Sequence, residues 1–265
     1  MSERIVRRRL ENRVALVTGG SRGIGRAICE LFAREGATVL VNFATSPAKA
    51  EAVVAAIRES GGRAGAFQAD VASRASVEAM VAAASRAFGS IDILVNNAGI
   101  LRWGTTLDLA EEDLDRLIAV NLKGAIYCSQ AVAPGMKERR YGKIVNMSSL
   151  AGLGTAVVGS TPYAITKSAV ITLTKRLAFE LGPDGINVNA IAPGFIRTEM
   201  LQLDETSGDR ARVEALSAKA MLNRIGTARD VANVALFLAS DESSFMTAQV
   251  LTVDGGRMDF LSRSD

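Results

Sequence analysis

Short apolar, β-branched runs alternate along this chain with longer segments of helical periodicity. The runs fall at 13–18, 38–43, 65–69, 91–96, 143–147, 186–191 and 250–253. Strands covered on both faces read as continuous apolar stretches rather than as an in-out alternation, and Val14-Ala15-Leu16-Val17 is such a stretch. Between the runs, apolar residues recur at helical spacing near 23–34, 47–60, 73–88, 111–137, 162–181 and 228–239. The segments on either side of Asn121 read as one bent helix. This alternation predicts an α/β fold, a doubly wound seven-stranded parallel sheet with helices on both faces. No linker, repeat or low-complexity tract divides the chain, so a single domain is expected over 13–265 behind a flexible arm at 1–12. The rhythm breaks at 194–221, where Phe195, Ile196, Met200, Leu201 and Leu203 mix with acids and Gly208. That segment reads either as a substrate lid or as loosely packed surface helices.

Composition narrows the chemistry. At 265 residues with 48% apolar content, the chain can bury a sizeable core. It has no histidine, which excludes Ser-His-Asp and Cys-His catalysis and histidine metal sites. Proton chemistry is left to tyrosine, lysine or carboxylates. Cys29 and Cys128 lie in apolar helical patterns without metal-ligand spacing, so they read as core residues of a reducing compartment, and no metal is expected. No apolar stretch long enough for a membrane span or a signal peptide is visible, and a soluble, cytoplasmic protein is expected. The net charge is a mild +3, with Arg4, Arg7, Arg8 and Arg9 gathered in the arm and Arg13 just beyond it. A solvated tail is the reading preferred there over a nucleic-acid contact.

Two segments carry candidate chemistry. Tyr163 and Lys167 stand four apart, so on a helix they share a face. A phenol works as an acid or base near neutral pH when a fixed cation favours its ionised form. Thr161-Pro162 just ahead reads as an N-cap followed by proline at the first helical position. The second segment is the turn Gly19-Gly20-Ser21-Arg22-Gly23-Ile24-Gly25, placed between the first strand and the first helix. Glycines there let the backbone approach a pyrophosphate, and the helix N-terminus supplies N–H groups and the positive end of its dipole. Their spacing is G-x-x-x-G-x-G rather than G-x-G-x-x-G. An NAD site usually carries an acid at the end of the second strand for the ribose 2′-hydroxyl. This chain has Val41-Asn42-Phe43-Ala44-Thr45-Ser46 there. With Arg22 as a cation and Asn42, Thr45 and Ser46 as neutral donors, the expected cofactor is NADP(H).

Taken in order, these motifs resemble the short-chain dehydrogenase/reductase family over nearly the whole chain. The matching elements are 18–25, Asp70-Val71, Asn96-Asn97-Ala98-Gly99, Asn121, Ser149, Tyr163 with Lys167, Pro193-Gly194 and Val253-Asp254-Gly255-Gly256. The resemblance implies a Rossmann-like sheet in the order 3-2-1-4-5-6-7 with its site at the carboxyl ends of the strands. It implies Tyr163 as acid/base, Ser149 as partner of the substrate oxygen, Lys167 as cation and ribose binder, and Asn121 as anchor of a water chain. It further implies that Asp70 accepts from the adenine amino group beside the Val71 backbone, and that Asn97, Ala98 and Gly99 lie along the cofactor. Pro193, Gly194 and Ile196 join Gly19, Ser21, Gly23, Ile24 and Gly25 as cofactor contacts, and Thr198 approaches the carboxamide. Ser148 adjoins Ser149, and on a strand the two point to opposite faces, so only one can serve. The interval of fourteen from Ser149 to Tyr163 suggests a bulge at 159–162. The branch resembled is that of the 3-oxoacyl-(acyl-carrier-protein) reductases, which implies a homotetramer and a carbonyl or alcohol substrate. A sugar or small ketone is the alternative substrate, and a non-catalytic NADP-binding regulator the alternative class. Trp103 either lines the mouth of the site, packs, or meets another subunit.

Overall fold

Residues 14–17, 38–43, 93–96 and 142–147 are buried at every position, the state expected of strands covered on both faces. In the computed structural model, residues 8–154, 157, 159–199 and 210–257 are described. The first half runs β1 (Val14–Val17), α1 (Gly23–Arg34), β2 (Thr38–Phe43), α2 (Pro47–Glu59), β3 (Arg63–Gln68), α3 (Arg74–Phe88) and β4 (Ile93–Asn96). The second half runs α4 (Glu111–Leu117), a π-helical turn (Ile118–Lys123), α5 (Gly124–Arg139), β5 (Gly142–Met147), α6 (Thr161–Leu181), β6 (Ile186–Pro193) and β7 (Ile196–Arg197). It closes with α7 (Arg210–Ala218), β8 (Gly226–Thr227), α8 (Ala228–Ala239) and β9 (Val250–Val253).

Seven strands form one parallel sheet in the order β3-β2-β1-β4-β5-β6-β9. The two-residue pair β7-β8, which the periodicity does not announce, stands apart from it. Successive strand residues serve opposite cores. Ala15 and Val17 pack with Ile28 and Phe32 of α1 and Leu236 of α8, while Val14 and Leu16 pack with Met80 of α3 and Cys128 and Met136 of α5. The chain reverses its direction of growth between β1 and β4, and the carboxyl ends of those strands open a cleft.

Three expectations are refined. The helix around Asn121 is continuous but carries the π-helical turn at its bend, a local underwinding that redirects the side chains around it. Within the arm drawn to residue 12, Leu10 is anchored: it is 1% exposed, its N–H donates to Glu35 O, and Arg9 pairs with Glu242, while Arg8, Glu11 and Asn12 are exposed. Of the 194–221 segment, Met200, Leu201, Leu203 and Gly208 lie outside the described residues, and α7 buries none of its own. Among the described residues no helix is long and apolar enough to cross a membrane.

Candidate active site

The turn after β1 is held by side chains from two neighbouring strands. The Asn97 amide donates to Thr18 O (2.9 Å) and Gly19 O (3.2 Å), while the Thr18 hydroxyl accepts from the Asn97 and Ala98 N–H groups, both at 3.0 Å. Gly23 has φ +53, and a Cβ on Gly25 would run into the Gly19 carbonyl, so both positions need glycine. Arg22 precedes α1 in extended conformation, no side chain caps the helix, and no acid stands in its first turn. The open N–H groups and dipole of α1 therefore face the cleft and fit a phosphate-bearing group. A nicotinamide dinucleotide matches this cradle, with Gly19, Ser21, Arg22, Gly23, Ile24 and Gly25 around one cavity of about 400 Å³.

At the end nearest β2 and β3 the cavity is lined by Arg22, Asn42, Thr45, Ser46, Asp70 and Val71. Asn42 is a correction. Its side chain is 1% exposed, its amide donates to Phe67 O and Ala69 O, and its oxygen accepts from Gly19 N–H at 3.2 Å. It braces the glycine turn, and its donors are already engaged. Asp70 accepts from Ala72 N–H (2.9 Å) and from Arg116 (3.1 Å), which also lines the cavity. Arg116 has no signal in the sequence. Nor does Glu199, which lines the wall and bonds Lys49 at 2.9 Å, with Arg22 at 3.8 Å. The Lys49 ammonium holds the Glu199 carboxyl below its ordinary range. Lys49 itself could have been noticed three residues beyond Ser46. An acid from beyond β7 thus stands beside the cations near the end of β2, where the local sequence carries none.

The reacting end is built on β5 and α6. Ser148 is buried and donates to Lys167 O at 2.8 Å, so Ser149 is the serine with its hydroxyl toward Tyr163. Tyr163, Lys167, Ser149 and Gly99 line the same cavity. The Lys167 ammonium is 3% exposed, donates to Met147 O at 2.7 Å and lies 5.6 Å from the Tyr163 ring centre. Burial pushes the phenol up to about 12 and the ammonium down to about 8. Desolvation thus outweighs the acidifying influence expected of Lys167. Asn121 does not line the cavity. Its amide is engaged by Ile100 N–H (2.8 Å), Ile100 O (3.0 Å) and the Thr166 hydroxyl (3.1 Å), so it ties the π-helical turn to α6 behind the wall. A Cβ on Gly99 would stand 3.3 Å from Asn121 and 3.5 Å from the Lys167 nitrogen, which shows how closely the three meet. Helix α6 starts at Thr161 with Ser160 as its cap residue, one earlier than expected, and the Ser160 hydroxyl donates to Val157 O rather than to the helix N–H groups.

The fourteen-residue interval is taken up by a 3-10 turn at Leu150–Leu153 and by Gly159 at φ +74, whose carbonyl accepts from Gly104 N–H. That bond draws Trp103, 55% exposed, onto the cavity mouth. Leu101, Leu150, Val157 and Phe195 line the rest of this end, with the Arg257 guanidinium over the Phe195 ring at 4.4 Å. Pro193, Gly194, Ile196 and Thr198 close the opposite wall, where Gly194 N–H donates to Val253 O and Thr198 approaches Gly23. Residues Ala98 and Asn97 form the floor beside Gly19.

A parallel sheet in this order, with a tyrosine, a lysine and a serine beside a glycine-rich turn, is the architecture of a dinucleotide-dependent oxidoreductase. The family model described as Enoyl-(Acyl carrier protein) reductase matches residues 19–257, and the chain belongs to this family of short-chain dehydrogenase/reductase oxidoreductases. Within it the chain falls in the branch of the FabG-like proteins: it is 44% identical to the 3-oxoacyl-[acyl-carrier-protein] reductase FabG of Staphylococcus aureus, covering 91% of this chain and 96% of that one. It is also 44% identical to the (2S)-[(R)-hydroxy(phenyl)methyl]succinyl-CoA dehydrogenase subunit BbsD of Thauera aromatica, over 94% and 97% of the two chains. Among solved structures, the gluconate 5-dehydrogenase from Burkholderia cenocepacia in complex with NADP and tartrate is similar with a TM-score of 0.87. The identity is 37%, over 94% of this chain and 96% of that one.

Proposed function

We propose that this protein is an NADP(H)-dependent oxidoreductase that interconverts a carbonyl and a secondary alcohol, with a 3-oxoacyl thioester as substrate. The observation that carries the reading is the shared cavity: Tyr163, Ser149 and Lys167 stand at one end of a cleft whose other end is the open N-terminus of α1. When bound, the nicotinamide supplies or receives the hydride at the carbinol carbon. The Ser149 hydroxyl donates to the carbonyl oxygen and steadies the negative charge that grows on it. Tyr163 gives that oxygen its proton. A phenol held at about 12 stays protonated throughout the neutral range, which suits reduction. Oxidation needs the phenolate, and the nearby Lys167 ammonium lowers the cost of forming it while also holding a ribose hydroxyl.

NADP(H) is favoured by Arg22 and Lys49 at the adenosine end, and the NADP in the Burkholderia enzyme is consistent with it. The names of the FabG and BbsD relatives support a thioester substrate, as does the apolar wall of Leu101, Trp103, Leu150, Val157 and Phe195. As in the family it resembles, the protein is read as a homotetramer. The test is NADPH oxidation with acetoacetyl-CoA against 5-ketogluconate, with cofactor affinities measured alongside. The thioester should turn over faster, and Tyr163→Phe should keep NADPH binding while losing about a thousandfold in rate. Preference for the keto-acid, substantial activity in Tyr163→Phe, tighter NAD(H) than NADP(H) binding, or unchanged NADPH affinity in Arg22→Ala would each overturn the corresponding part.

A further inference from the structure

We propose that Glu199 is a specificity-determining residue, an internal anion that competes with a cofactor 2′-phosphate for Lys49 and Arg22. The proposal rests on the reading that this cleft takes a nicotinamide dinucleotide. Lys49 stands in the first turn of α2, on the β2 side of the cleft, and Glu199 follows β7 on the β6 side. Their 2.9 Å bond therefore joins two walls that the sheet order keeps apart, and Arg22 completes the cluster at 3.8 Å. A further cation on α1, Arg26, is engaged by Glu30 at 2.7 Å.

The charge balance makes the role specific. Two cations and one acid leave a single positive charge beside Thr45 and Ser46. A 2′-hydroxyl asks nothing of that cluster, so Glu199 keeps both partners when an unphosphorylated ribose lies there. A 2′-phosphate brings about two negative charges and must share or displace the same cations. Glu199 therefore penalises the phosphorylated ribose, and the site binds it less tightly than two free cations would allow. All three side chains are at least half exposed, so the effect is of modest size and fades with salt.

The experiment uses nucleotide fragments without the nicotinamide, so that no turnover enters the readout. Binding of 2′,5′-ADP and of 5′-ADP is measured calorimetrically at low and high ionic strength for wild type, Glu199→Gln, Lys49→Met and Arg22→Ala. Glu199→Gln should tighten 2′,5′-ADP about tenfold at low salt, the worth of a unit charge near a phosphate in a mostly aqueous setting, with 5′-ADP unchanged. Lys49→Met should weaken 2′,5′-ADP alone. Equal weakening of both fragments by Glu199→Gln would make the residue a clasp over the cleft and overturn the proposal, as would no change in either. If wild type binds both fragments equally and Arg22→Ala alters neither, the NADP reading fails, while tightening of 2′,5′-ADP by Glu199→Gln would still uphold the competitor. If wild type binds neither fragment, the dinucleotide reading falls and the proposal with it.

Discussion

Lys167 bears the clearest electrostatic cost in the cleft. Its ammonium is 3% exposed with Met147 O at 2.7 Å, and burial lowers its pKa from 10.5 to about 8. A depressed folded-state pKa means that the stability this residue allows is complete above pH 10.5 and is lost as pH falls through about 8. The penalty at neutral pH is about 3 kcal/mol, taking one pKa unit as 1.4 kcal/mol. Tyr163 has the opposite sign: its pKa rises to about 12, so its contribution is present below pH 10 and is lost only as pH climbs through about 12. Lys167→Met removes the first dependence. Because it also strands the Met147 carbonyl, which costs about 1–3 kcal/mol, the two proteins should melt at similar temperatures near pH 7. Between pH 7 and 10 the wild type should then gain on the variant by several degrees in thermal unfolding. Parallel melting curves across that window would refute the buried-ammonium account.

Helix α8 shows how a terminal motif far from the chemistry holds the site. Thr227 N–H donates to the Asp230 carboxylate (2.7 Å) and Asp230 N–H to the Thr227 hydroxyl (3.2 Å), a capping box, while Arg224 grips the same carboxylate through two nitrogens. Arg224 holds the Asp230 carboxyl far below the ordinary carboxylate range. Thr227 also belongs to β8, which pairs with β7, so the cap fixes the strand that leads into Thr198 and Glu199. Asp230→Ala should destabilise by about 1–2 kcal/mol, seen as a drop of a few degrees in melting temperature, and should weaken dinucleotide binding severalfold. Unchanged melting would mean that the box is ornamental. The signal for this cap is local and stands in the sequence as Thr-x-x-Asp before an apolar run. Tyr163 with Lys167 and the glycine turn are legible for the same reason, since each lies within one element or one turn. Glu199 with Lys49 is not, because 150 positions separate partners that only the strand order brings together. Asn42 is illegible for a different reason: the sequence reveals that an amide has donors, but not that Phe67 and Ala69 have already taken them.

In the proposed tetramer, helix α6 would link the cleft to a subunit interface. Its inward face carries Tyr163, Thr166, Lys167, Val170, Thr174 and Ala178, all spaced to meet the sheet or the site. Outside, Ile165 is 54% and Phe179 72% exposed. Fourteen residues of helix bring the chain back to within about 40° of the same direction, so the two apolar side chains share one stripe. A second copy of α6 can cover this stripe around a two-fold axis, where each residue contributes twice. Full burial of a large apolar side chain is worth about 1.5–3 kcal/mol. Replacing Ile165 and Phe179 together by aspartate would therefore remove more than enough to separate such an interface, and like charges facing across the axis would add repulsion. Sedimentation velocity should find wild type as a tetramer and the double variant as a smaller species with unaltered circular dichroism. Because α6 also carries Tyr163 and Lys167, the dissociated form should turn over more slowly while Glu199→Gln still shifts its nucleotide preference. A double variant that sediments like wild type would show that this stripe faces water, and the interface would have to be sought on another face.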